Sequence, residues 1–401
     1  MVGLRRIDMK RWISILLLAS VIPFAAYSIP DLPATSISAV PWRDARSMGM
    51  GGASLLFSQG YDSFFGNPAG FAQKASLTLG DLSFWGYTPI APASLQKLQN
   101  VLNLVYTDPA EKDSVIDELL ATNSVLGGGF SAGLGWAGGG FGLGFSMVSD
   151  LGITGMDFAN SSLVSRNQLT AVLGLGLPIK LGILRLDIGA DVRGFYRLDT
   201  HPAQGWAAYD LVNAALGYGG DFEALVQPNS MLTGMGYAFD AGITLKIGPV
   251  SAGFMARDLF AFYTADIRDI AYLQESSFLP EESYTAVALD PTFTAGLAVR
   301  LNESGLVSPS IYAQTSDIEG FIQTAQTMED IDALLGTMQI GAELRLIRIL
   351  LMRLGINENL FSLGFGIDLA LVRADVAVFL LPSDGLVSGG AGMTARMAVK
   401  F

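Results

Sequence analysis

Few residues in this 401-residue chain could do covalent or metal chemistry. It contains one histidine, His201, next to Pro202, and no cysteine. A nucleophilic relay needs an imidazole framed by a serine or cysteine and an acid, and no such frame surrounds His201. A histidine or thiolate metal centre lacks its ligands for the same reason. The stretch "GGGFSAGLGWAGGG" imitates a dinucleotide loop in its glycine spacing, yet it alternates like a strand and no helix follows it. Acids crowd several candidate loops (Asp266, Asp269, Glu275, Glu281, Glu282, Glu329, Asp330, Asp332) without calcium-loop spacing, so they read as a solvated face. No enzyme activity, metal or cofactor is expected. What the chain offers instead is binding chemistry. Arg193 and Arg353 are candidates for a carboxylate head group, and Trp206, Tyr209 and Leu211 for the walls of an apolar groove.

The elements that must position these residues have a period of two. "ILRLDIGADVRGFYRL" puts Leu184, Leu186, Ile188, Ala190 and Val192 on one face and Arg185, Asp187, Asp191, Arg193 and Arg197 on the other. "GYAFDAGITLKI", "MQIGAELRLI" and "FSLGFGIDLAL" repeat the pattern, one face apolar and the other charged or tiny. In a soluble sandwich the apolar face would point inward. In an outer-membrane barrel it meets lipid while the charges line the bore.

The rest of the chain decides for the barrel. Four bases (Arg5, Arg6, Lys10, Arg11) precede an apolar run from Trp12 to Ala26, with small residues Ala26 and Ser28 before a cleavage point, so residues 1–28 read as an export signal. Losing those bases and Asp8 takes the net charge from −13 to −16, which argues against a nucleic-acid partner. Mean hydropathy is +0.42, yet no later apolar run reaches the roughly 20 residues of a membrane helix. Fourteen strands are expected, near 75–87, 127–137, 140–150, 167–180, 183–198, 233–247, 249–260, 291–301, 306–317, 337–347, 349–357, 361–372, 373–381 and 390–401. The links after even-numbered strands are short and nearly all the others long, as tight periplasmic turns and long outer loops require. Slipping the fifth strand by one residue would turn three arginines to lipid, at about 2–4 kcal/mol each. The last strand, "GMTARMAVKF", ends on Phe401 and resembles the signal by which barrel assembly machinery recognises its clients.

Fourteen strands enclose more space than their inward side chains fill, since about eight already make a packed interior. Residues 29–74 lack a spanning pattern and precede the first strand, so they are placed to fold back as a plug, with 75–401 forming the barrel. Gly49, Gly51 and Gly52 allow close backbone approach, and Asn67-Pro68 is a turn signal. Glycine-rich "MGMGGA" followed by "NPAG" (Asn67, Pro68, Ala69, Gly70) before a first strand resembles the FadL/TodX family of outer-membrane transporters. That resemblance implies an N-terminal hatch, uptake of long-chain fatty acids or other hydrophobic molecules, and sideways release beside a kinked third strand. The third strand loses its alternation around Ser149, Asp150 and Gly152, where such a kink is expected. Helical spacing in "PASLQKLQNVLNLVY", "DSVIDELLA", "GWAAYDLVNAALGYGGDFEALV" and "DIEGFIQTAQTMEDIDALL" predicts short helices in the outer loops.

The expected protein is therefore an all-β, monomeric, 14-stranded antiparallel barrel in the bacterial outer membrane. Its partners would be hydrophobic small molecules, outer-membrane lipid and the barrel assembly machinery. A scaffold role for a secretion or surface-display system, as in some relatives, and a general porin are the alternatives; a stopped bore counts against the porin.

Overall fold

The computed structural model describes residues 43–89, 100, 108–120, 126–155, 157–200, 206–215, 221–270, 285–289, 291–302, 305–316, 318, 337–357, 360–381 and 390–401. The expected export signal, residues 29–42, His201, all but residues 100 and 318 of the helices expected over 92–106 and 317–335, and the acids Glu275, Glu281, Glu282, Glu329, Asp330 and Asp332 lie outside them.

Fourteen antiparallel strands close into a ring. They are β1 (Ser76–Pro89), β2 (Leu126–Gly138), β3 (Phe141–Thr154), β4 (Ser162–Leu181), β5 (Leu184–Thr200), β6 (Ser230–Ile247), β7 (Val250–Arg257 with Ala261–Asp269), β8 (Thr285–Leu289 with Thr292–Arg300), β9 (Val307–Thr315), β10 (Gln339–Leu346), β11 (Leu350–Asn357), β12 (Leu360–Asp368), β13 (Val372–Leu381) and β14 (Gly390–Lys400). Each pairs with its sequence neighbour, and β14 returns to β1 through pairs such as Asp81 with Ala398 and Phe84 with Ala395. The last residue takes part: Phe401 N–H donates to the Leu77 carbonyl at 2.7 Å, and its own carbonyl accepts from Leu77 N–H at 2.9 Å.

Alternation sets the two faces. Along β3, Phe141, Leu143, Phe145 and Met147 are exposed while Gly142, Gly144, Ser146 and Val148 are buried. The exposed apolar residues recur around the ring, from Leu82 and Phe84 through Leu173, Leu354 and Phe365 to Met397. Buried charges (Asp81, Asp187, Arg193, Glu343, Arg353, Arg396) hold the other face. A closed ring with an oily exterior and a charged interior is a transmembrane β-barrel of the outer-membrane type. No helix among the described residues is long and apolar enough to cross a membrane.

Short turns mark one end of the ring. Gly138, Gly139 and Gly140 join β2 to β3 at φ of 110°, 69° and 99°, backbone that other residues rarely adopt. At the opposite end, helices α2 (Pro109–Leu120), α3 (Ala208–Ala215) and α4 (Phe222–Val226) occur in loops where helical spacing was read. Ahead of them in the chain is the one-turn helix α1 (Ala45–Met48).

Three details differ from the sequence expectation. β3 is not kinked: its register runs unbroken against β2 from Leu126–Ile153 to Gly138–Phe141, and against β4 from Phe141–Leu175 to Thr154–Ser162. The polar residues that blur its alternation have another use. Asp150 points inward and accepts from Trp85 Nε1 at 2.7 Å and from the Tyr87 hydroxyl at 3.3 Å. The real interruption lies in β7, where the regular ladder breaks at Asp258–Phe260 and only Leu259 N–H, donating to the Phe239 carbonyl at 2.9 Å, keeps a backbone tie to β6, and in the adjoining β8 next to Pro291. Met255 and Ala256 are consecutively buried there, so the alternation changes phase, and the outer halves of β7 and β8 were not foreseen. Asp266 and Asp269 consequently sit in a strand and not in a solvated loop, Asp266 accepting from Arg268 Nε at 2.8 Å.

Candidate functional site

Residues 43–75 carry α1 and two 3₁₀ turns, Gly60–Phe64 and Pro68–Ala72. Each turn forms from local chemistry. The Asp44 carboxylate caps α1 by accepting from Arg46 N–H at 2.8 Å and Ser47 N–H at 3.3 Å. Asn67 Oδ1 accepts from Ala69 N–H at 2.9 Å and caps the second turn, where Pro68 has no N–H to satisfy. Gly51 and Gly52 have φ of 69° and 86°. The segment buries Met50, Leu55, Phe57, Tyr61, Phe64 and Phe71 almost completely. Tyr61, Phe64 and Phe71 pack with Ala137 and Val172 of the wall, and Met50, Leu55 and Phe57 pack with Met255, Ala298 and Tyr312.

Wall glycines mark where this segment lies. A Cβ added at Gly133, Gly144, Gly174, Gly189, Gly242, Gly253, Gly341 or Gly355 would stand under 3.0 Å from Tyr61, Phe64, Phe71, Pro68, Asn67, Leu56, Met50 or Gly51 respectively. These eight glycines sit on eight different strands. The tiny inward residues noticed in the sequence are thus the imprint of the segment on the wall. Contacts from around the ring place it inside, at the short-turn end, where Gly139 N–H donates to the Gln73 carbonyl at 2.7 Å and Gly140 N–H to Phe71 at 2.8 Å.

Buried ions bind the segment on the other side of the ring. Arg396 of β14 donates through Nη2 to Asp62 at 2.5 Å and through Nε to Asp81 at 2.8 Å, with Asp44 at 3.4 Å. Arg46 Nε lies 3.4 Å from Glu343, which accepts from Arg353 Nε at 2.8 Å; Arg353 Nη1 reaches Asp375 at 2.7 Å. Burial opposes the charge of Asp62, but Arg396, then Arg373 and Arg46, outweigh it and hold its carboxyl below the ordinary value of 3.8. Burial, with the Asp81 charge beside it, pushes the Tyr61 hydroxyl pKa up.

The other candidate residues fall into separate places. Gly49 packs against Gly364 and Ala377, and Gly70 against Ser58 and Ser63. Asn67 Nδ2 donates to the Ile243 carbonyl and the Thr244 hydroxyl, 3.3 Å each. Arg353 is fully enclosed between Glu343 and Asp375, so it is not available to a head group as the sequence suggested. Arg193 pairs with Asp240 at 2.8 Å and Asp258 at 2.6 Å, beside the interruption in β7. Trp206, Tyr209 and Leu211 belong to the loop cap: Trp206 Nε1 donates to the Ser230 carbonyl at 3.1 Å, Tyr209 packs on Phe158, and Leu211 is buried. The Tyr209 hydroxyl bonds to Asp113 at 3.0 Å, and that bond pushes its pKa up. Ser149 and Gly152 are ordinary ladder members. Among the described residues no group of His, Cys, Asp or Glu could hold a metal ion.

No protein-family model and no curated protein matches this chain. Among solved structures it is similar to the toluene transporter TodX of Pseudomonas putida, at 12% identity over 89% of this chain and 97% of that one, with a TM-score of 0.46. The toluene transporter TbuX of Ralstonia pickettii gives 12% identity, 90% and 98% coverage and a TM-score of 0.45. A FadL homologue of Pseudomonas aeruginosa gives 14%, 90%, 98% and 0.42. Identity this low leaves each site residue to be judged by its own surroundings.

Proposed function

We propose that this barrel takes up hydrophobic molecules, long-chain fatty acids foremost, across the outer membrane, with residues 29–74 acting as a plug. The observation that carries this reading is the glycine imprint: a wall shaped around its own leading segment counts against an open pore for polar solutes. Beyond the segment, toward the long loops, Phe195, Leu232, Ala238, Ala261 and Tyr263 form an apolar cluster on the inward face of β5, β6 and β7. An acyl chain gains about 0.8 kcal/mol per buried methylene, so an apolar wall captures it, whereas onward passage through the buried ions costs that gain back.

Sideways release resolves the conflict. The interruption of β7 at Asp258–Phe260 adjoins Ala261 of this cluster, and Phe260 is exposed on the outer face against Phe239. Asp258 is held by Arg193, two residues from Phe195 on the same inward face. A carboxylate head group that reaches Phe195 can compete with Asp258 for Arg193 and loosen this stretch, which is then held by Leu259 N–H on the Phe239 carbonyl at 2.9 Å and Asp258 N–H on Asp240 at 2.9 Å.

The test is uptake of labelled oleate by cells that lack the native barrel and express either this chain or Arg193→Gln. Uptake by the former and not the latter is expected. Absence of uptake, with an exported protein co-purifying instead, would replace transport by a scaffold role.

A further inference from the structure

A cavity of about 310 Å³ lies between the segment at Leu56–Gln59 and the wall at the short-turn end. Its lining is basic in a chain whose net charge is −13: Arg46, Lys246, Arg300 and Arg345 face it, with Glu343 as the one acid. Arg46 and Glu343 are committed to each other and to Asp62 and Arg353. Among the described residues Arg300 and Arg345 are not matched by any carboxylate. There Arg300 donates to neutral groups: the Tyr312 hydroxyl at 3.3 Å, the Ser251 hydroxyl at 3.4 Å and the Leu56 carbonyl. Arg345 has no hydrogen-bond or ion-pair partner among the described residues. Guanidinium groups facing one half-open cavity repel one another unless an anion lies between them, and their planar forks suit oxyanions. Ser308, Ser310 and Tyr312 add hydroxyl donors to the same space.

We infer that this cavity is a phosphate site, open to either inorganic phosphate or the phosphate of a lipid head group in the inner leaflet. At about 30 Å³ per water, the space holds a tetrahedral dianion with its remaining hydration. A dianion also balances two guanidinium groups, which a single carboxylate does not. The site depends on the segment's position but not on what the barrel transports.

The experiment uses the purified full-length protein in uncharged detergent. Inorganic phosphate is titrated calorimetrically, and in a second arm a short-chain phosphatidylglycerol replaces it. Binding in either arm is expected, the arm identifying the source, with at least tenfold weakening in Arg345→Gln. Ser310→Asp, opposite Arg300 in the β8–β9 ladder, supplies an internal carboxylate and should abolish binding without removing a base. Heat-modifiable gel mobility confirms that each variant is folded. No binding in either arm, or binding unaffected by both substitutions, would overturn the assignment.

Discussion

Gly242→Ala should unseat the segment proposed as a plug, and the geometry says by how much. The added Cβ would stand under 3.0 Å from Asn67 Oδ1 and 3.2 Å from Pro68 Cδ. Asn67 cannot simply turn aside, because its amide holds Ala69 N–H, the Ile243 carbonyl and the Thr244 hydroxyl. Displacing it forfeits a cap worth about 1 kcal/mol and two long hydrogen bonds worth about 0.5–1 kcal/mol each. The sum is about 2–3 kcal/mol, which raises the population of the undocked segment roughly 30- to 150-fold. Asn67→Ala removes the same bonds directly and should match it. In the double variant the clash has lost its main partner, so the second substitution adds little, and the coupling between the two sites should approach 2 kcal/mol. The assay is single-channel recording in planar bilayers, reading the fraction of time in a high-conductance state, with gel mobility as the folding control. Two variants that fold as barrels with unchanged conductance would refute the plug. Raised conductance with strictly additive effects would refute this contact as its anchor.

Arg396→Met should have a larger effect of the same kind, because it strands Asp44, Asp62 and Asp81 in a buried site; losing one partner of such a network costs about 3–5 kcal/mol, read as frequent high-conductance openings and cleavage of the segment by added protease. Acid should loosen the proposed plug only at low pH. Asp62 is held below 3.8, so its contribution is complete above that value and fades as pH falls through the lower docked value; conductance should stay flat from pH 7 to about 5 and rise below about 4, and Asp62→Asn should flatten that rise. Phe401→Ser leaves the backbone bonds to Leu77 in place, so the assembled barrel should keep its stability while the amount inserted into the membrane falls several-fold, measured by comparing folded and total protein on gels.

Much of the barrel could be read from order along the chain. A period of two is a local property, and a lipid-facing strand must keep it or expose charge, so all fourteen strands could be placed before any contact was known. The position of residues 43–75 ahead of the first strand, and the capping chemistry of Asn67 and Pro68, were equally local. Reading failed where local polarity had a distant cause. Ser149 and Asp150 resembled a defect in β3 because Trp85, the partner that explains Asp150, lies on β1. The phase change at Met255 and Ala256 hid the outer half of β7 because nothing nearby in sequence signals the tie between Asp258 and Arg193.

By itself, then, the sequence determined fourteen strands, their faces outside the β7 interruption, their direction and the segment that had to go somewhere. Only the tertiary structure decided which glycines receive that segment, which arginines are spent on buried carboxylates and which, like Arg345, remain uncommitted among the described residues. The physical reason is distance along the chain. Alternation and capping act over a few residues, whereas Arg396 meets Asp62 and Gly355 meets Gly51 only after the ring has closed around them.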